Sequence, residues 1–117
     1  MLARMVMREE LVDENLPWAR VLVVHGELDI GAAQWFSEAI DDRLGGELPL
    51  IVDLSACQYL DSTILNVLIR SANAAPGRIG IVVPAGARIR RIFNIAGLED
   101  ALALSESRHA LQVRFSS

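Results

Sequence analysis

The chain of 117 residues has no lysine, one cysteine and two histidines. Each shortage removes a class of function. Cys57 cannot form an internal disulfide, and with only His25 and His109 beside it no Cys/His set stands at zinc-ligand spacing. A reducing compartment is the natural setting. The eleven basic residues are all arginine, set against fifteen acidic ones, and are scattered except for Arg88, Arg90 and Arg91. A net charge of -4 is a poor electrostatic footprint for nucleic acid. No apolar run approaches a membrane span, and residues 1–11 carry Arg4, Arg8, Glu9 and Glu10 where a signal peptide needs an apolar core. The expectation is therefore a cytoplasmic protein without nucleic acid or membrane insertion. Gly-x-Gly-x-x-Gly, Walker and Gly-x-Ser-x-Gly motifs are missing as well, so no nucleotide, metal or other cofactor and no hydrolase elbow is expected.

What remains is a folding chain: 52% hydrophobic and 22% charged residues describe a compact core, not a solvated tail. The length suits one domain over residues 1–117, burying roughly two-thirds of its unfolded surface. Val21 to Val24 form a β-branched run, with Met5 to Val12 as partner strand across a turn holding Asn15, Leu16 and Pro17. Ala33, Phe36, Ile40 and Leu44 recur at helical spacing over 32–44, with Glu38, Asp41, Asp42 and Arg43 off that stripe and Gly45-Gly46 as the stop. Leu50 to Leu54 read as a central strand buried on both faces and ending near Asp53. A second helix spans 60–75, with Ser62 as N-cap and Pro76-Gly77 as breaker, and is apolar around most of its girth. Ile79 to Val83 form a strand. Residues 86–96 form a third helix with Ile89, Ile92, Phe93 and Ala96 inward and the arginines mostly outward, closed by Gly97. A short strand at 101–104 and a helix from Ser105 with Ala110, Leu111 and Val113 as its apolar side complete the pattern. Alternating strands and helices predict an α/β fold, a mixed four- or five-stranded sheet with about four helices.

In such sheets functional groups gather at the carboxyl ends of the strands. The sequence offers Glu27, Asp29, Asp53, Ser55 and the trio Asp61-Ser62-Thr63 there. A serine at a helix start sits among unpaired backbone donors and the positive end of the helix dipole, where a phosphoryl group would find partners. Phosphorylation would add about -1.5 to -2 charges to a surface already acidic. The plainer alternative is that Ser62 only caps its helix, Asp61 is a turn residue and the carboxylates are solvated.

Gly26-Glu27-Leu28-Asp29, Ile51-Val52-Asp53-Leu54-Ser55, Leu60-Asp61-Ser62-Thr63 and Ile92-Phe93-Asn94-Ile95-Ala96-Gly97-Leu98, in that order, resemble the STAS domain of bacterial anti-sigma factor antagonists over about 21–113. The resemblance implies a non-enzymatic binding module. Its partner would be an anti-sigma factor that is also a serine kinase, bound while the antagonist is unphosphorylated and released on phosphorylation. By position Ser62 resembles the phosphoacceptor, Asp61 its acidic neighbour, Asp29 the loop carboxylate that contacts the kinase, Thr63 the following hydroxyl and Asp53 the carboxylate ending the central strand. The family usually has Gly after the Thr63 position, where this chain has Ile64. A β-branched side chain there would either alter docking or face the core.

Other residues carry competing readings. Cys57 and His25 have nothing to position them as a pair, so Cys57 reads as a buried structural residue. Arg88, Arg90 and Arg91 read as a solvated helix face or a phosphate contact. Trp35 lies off the helical stripe and reads either as an exposed anchor or as packed under a loop. A small enzyme using Asp53 or Asp61 as base lacks a paired nucleophile. A STAS scaffold or small-ligand-binding subunit, stressosome-like or transporter-associated, would leave Ser62 as a cap and would self-associate; a switch is compatible with a homodimer without needing one.

Overall fold

The computed structural model describes residues 10–98 and 102–116. Five strands form one sheet in sequential order: β1 (Leu11–Asp13), β2 (Arg20–Leu28), β3 (Leu50–Leu60), β4 (Ile79–Val82) and β5 (Leu104–Ser105). β1 is antiparallel to β2, and every later pair is parallel. The helices are α1 (Ala33–Arg43), α2 (Ser62–Ala74), α3 (Arg90–Ala96) and α4 (Arg108–Phe115), with a single 3-10 turn at Ile30–Ala32 before α1.

Sequential parallel order has a geometric consequence. Right-handed crossovers that always step the same way put every crossover helix on one face of the sheet. Phe36 and Ile40 of α1, Ile64 and Leu68 of α2 and Phe93 of α3 accordingly share one core with Leu22, Val24, Leu50, Val52, Leu54 and Ile81. The alternate residues Val21, Val23, Ile51 and Val82 face the other way, where Ala19 and Leu111 of α4 cover them, with Trp18 and Phe115 at the margin. Gly80 makes room for that cover: a Cβ there would lie 2.6 Å from one Leu111 methyl carbon and 2.8 Å from the other.

Several elements differ from the expected ones. Of the N-terminal strand only Leu11–Asp13 is seen pairing, and Met5 to Glu9 lie outside the described residues. β3 runs on to Leu60, past the expected end at Leu54. Its pairing with β2 slips twice, Val23 with Asp53 but His25 with Ala56, then Gly26 with Cys57 but Glu27 with Tyr59, so two bulges hide the continuing strand from any alternating pattern. Arg43 is not on the wet side of α1 but 5% exposed; its guanidinium grips both Asp13 carboxylate oxygens at 2.6 and 2.8 Å and gives a third hydrogen bond to the Ala39 carbonyl. α3 begins at Arg90, not Gly86, after successive tight turns from Pro84, and Arg90 reaches back to the Val83 carbonyl at 2.5 Å. Gly97, at φ +67°, ends α3 as expected. The side chain of Ala96 and residue 101 lie outside the description. Ser105 belongs to β5, and α4 is capped by Ser107, whose hydroxyl accepts from the Ala110 amide at 3.2 Å. Ala110 and Val113 are exposed, leaving Leu111 as the buried residue of α4.

Candidate functional site

β2 and β3 finish in register, Leu28 opposite Leu60, and the Asp61 amide donates to the Leu28 carbonyl at 2.9 Å. Parallel neighbours lie about 4.8 Å apart, so the residues that follow, Asp29 and Asp61, start their segments side by side. Each carboxylate is used as a cap. Asp29 accepts from the Gly31 amide at 3.0 Å and opens the 3-10 turn. Asp61 accepts from the Thr63 amide and the Thr63 hydroxyl, both at 2.8 Å, and opens α2. These two hydrogen bonds, the amide's first, hold the Asp61 carboxyl below the usual carboxylate range.

This corrects the reading of Ser62 as N-cap. Asp61 supplies the capping oxygen, and Ser62 is the first residue inside α2, exposed, with its hydroxyl bonded to no described residue. Thr63, by contrast, spends its hydroxyl proton on Asp61. Asn66, Arg70 and Asn73 are exposed along with Ser62, so the helix is packed between sheet and α1 and wet along one side.

Two proposed contact residues are withdrawn from the surface. Ile64 is fully buried in the core with Leu68 and Phe36; at the third helical position its side chain points inward, so it neither lines a docking face nor blocks approach to the helix start. Asp53 is 6% exposed and does not end its strand. It shares the sheet face of Ile51, opposite to α2. One carboxylate oxygen accepts from the Ser55 amide at 2.9 Å and the Ser55 hydroxyl at 2.6 Å, pinning the first bulge, and the other accepts from Arg108 of α4 at 2.8 Å. Burial pushes this carboxyl up, but the Ser55 hydrogen bonds and the Arg108 guanidinium outweigh it and leave it below the ordinary range. With both oxygens engaged it is no free base. Cys57 is buried inside β3, its thiol on the Tyr59 carbonyl at 3.4 Å and pushed up by burial. Trp35 is half-buried against the core, not an exposed anchor.

The surface also holds features the sequence did not announce. Ile30, next to Asp29, is 68% exposed. Beside it a shallow, mainly apolar groove runs between α1 and α2, lined by Ala33, Thr63, Asn66, Ile69 and Arg70. Ile30 stands before the periodic stretch of α1, and no pattern could tell an apolar turn residue there from a core one. Among the described residues no cluster of His, Cys, Asp and Glu could hold a metal ion, and no helix is long and apolar enough to cross a membrane.

The fold is shared with solved structures. An anti-sigma factor antagonist from Mycobacterium paratuberculosis is 24% identical, with 92% of this chain and 93% of that one aligned at a TM-score of 0.79. The anti-sigma factor antagonist SpoIIAA in its unphosphorylated form is 22% identical over 89% of this chain and 96% of that one, TM-score 0.66. The Bacillus cell fate determinant SpoIIAA in its phosphorylated form is 17% identical over 87% and 96%, TM-score 0.60. Direct comparison with curated protein sequences finds no match. The domain family described as "Mlab, STAS domain" matches residues 14–106, from the loop after β1 to the end of β5; the chain belongs to the STAS domain family.

Proposed function

We propose that the protein is an anti-sigma factor antagonist of the cytoplasm. It is a non-enzymatic module that binds an anti-sigma factor with serine kinase activity, and it loses that binding when Ser62 is phosphorylated. The observation that carries this reading is the division of labour at the start of α2: Asp61 does the capping, so the exposed Ser62 hydroxyl is left without a structural task. The structural relatives that are named as antagonists, one of them solved in both phosphorylation states, support it.

Chemically the antagonist contributes only the acceptor. The Ser62 oxygen takes the γ-phosphoryl of ATP, ADP leaves, and the serine proton passes to a base on the kinase, which also supplies the nucleotide and magnesium. Asp29, Ile30, Asp61, Thr63 and the groove beside them form the contact face. The phosphoryl group then brings about -1.5 to -2 charges next to two carboxylates and to an apolar groove. Docking would require that dianion to lose its water among like charges, and this separates the partners.

The test pairs phosphorylation with affinity. Incubation with the purified kinase and Mg-ATP should place one phosphoryl group on the peptide that contains Ser62, and Ser62→Ala should remain unmodified and bound. Ser62→Asp should weaken binding by about tenfold or more, roughly 1.4 kcal/mol. Modification elsewhere together with unchanged affinity of the Asp variant would sink the reading.

A further inference from the structure

The end of the sheet that presents Ser62 is divided in charge. Over β2 and β3 it is acidic: Glu27 and Asp29 are exposed, with Asp61 beside them. Over β4 and the entry to α3 it is basic. Arg88 and Arg91 are exposed and bonded to no described residue, whereas Arg43, Arg78, Arg90 and Arg108 are all tied to carboxylates or carbonyls. Arg88 lines a hollow of about 390 Å³ with Ser55, Cys57 and Gln58 of β3, which fixes the basic half at the same end of the sheet. Ile30, 68% exposed, adjoins the acidic half, and Ile95, 76% exposed, stands about 10 Å along the helix from Arg88. The Arg91 amide bonds back to the Arg88 carbonyl at 3.3 Å, so Arg88, Arg91 and Ile95 follow one another at helical spacing and line one side.

A face that is acid-plus-isoleucine in one half and base-plus-isoleucine in the other is self-complementary under a two-fold rotation. We infer that two copies of this chain associate end to end through this face, with Glu27, Asp29 and Ile30 of one set against Arg88, Arg91 and Ile95 of the other. Ser62 lies within the covered area. Resting on the proposed function, self-association and the kinase then compete for the same surface; the dimer itself does not depend on that reading.

Sedimentation velocity on the full chain at about 20 mM and about 0.5 M salt tests it, because exposed charge pairs weaken strongly across that range. The dimer should form at low salt and its dissociation constant should rise about tenfold or more at high salt. Arg88→Glu with Arg91→Glu makes both halves acidic, and Glu27→Arg with Asp29→Arg makes both basic. Each variant should sediment as a monomer, and an equimolar mixture of the two should restore a dimer. Should the Asp29 cap prove necessary for folding by circular dichroism, Ile95→Asp gives the same monomer readout from an exposed helix side. A wild-type monomer throughout, a dimer indifferent to the charge reversals, or a mixture that stays monomeric overturns the inference. A kinase assay run in parallel separates the two ideas: Ser62 phosphorylation in a monomeric protein removes the dimer alone, and a salt-sensitive dimer that no kinase modifies removes the switch alone.

Discussion

Aspartates at positions 29, 53 and 61 look alike in the sequence, yet one of them is used differently from the other two. Asp29 and Asp61 turn their oxygens back to amides two residues ahead and stay in contact with water. Asp53 makes the same local turn with Ser55 but under the cover of α4, where Arg108 completes its coordination. Replacing Asp53 by Ala should cost about 1–3 kcal/mol in chemical unfolding, since it leaves Arg108 with only its exposed partner Glu14 and frees the bulge. The pH dependence has a definite sign. The folded carboxyl titrates below the unfolded value of about 3.9, so its contribution is fully present above that value and fades as pH falls through the folded one. Wild-type and Asp53→Ala stabilities should therefore converge as unfolding is followed downward from about pH 5; a constant gap would contradict it. Residue types and order announced these carboxylates as a group. They could not announce that Asp53 turns to the face away from α2, because β3 is apolar on both sides around it and nothing local says which helix covers which side.

Secondary elements were legible where a single periodicity ruled, and opaque where a side chain reached far along the chain. The stripe of Phe36 and Ile40, the stop at Gly97 and the start of α2 near residue 61 follow from local chemistry. The apolar stripe leaves Arg43 out, yet Arg43 is buried, because its partner Asp13 lies thirty residues earlier, on an edge strand. That ion pair fastens the end of α1 to β1. Asp13→Ala leaves a buried cation without its carboxylate and should cost about 3–5 kcal/mol, whereas Asp13→Leu combined with Arg43→Met should recover most of the loss. Thermal unfolding of the three proteins decides it, and equal destabilisation by the single and double replacements would show that packing, not charge, holds the corner. Ser107 illustrates the same divide on a small scale. Ser105 and Ser107 are equally good capping residues by type, and only the pairing of β5 with β4 decides that the second one starts α4.

The whole molecule is organised by the unidirectional strand order. Among the described residues, three helices crowd one face of the sheet and one short helix closes the other. The crowded face is redundant in its contacts; the closed one depends on Leu111 seated over Gly80. Gly80→Val should displace that seat and cost about 1–3 kcal/mol, with amide exchange accelerating in α4 and Val82 while α1 and α2 stay protected. Uniform acceleration across all helices would mean that the two faces unfold as one. Class, strand sequence and the position of the helix-start serine could be read in advance from periodicity and motif order. Which helix covers which face could not, since that is settled by the handedness of successive crossovers.

One-sidedness also imposes a timetable on synthesis. Val21, Val23 and Ile51 are paired into the sheet by residues that emerge early, but the helix that shields them is drawn from positions 108–115. A nascent chain therefore shows the β-branched outer face of β2 and β3 to solvent until residues 108–115 have emerged behind them. The interval of greatest exposure to aggregation and to chaperones lies between the emergence of β3 and that of α4.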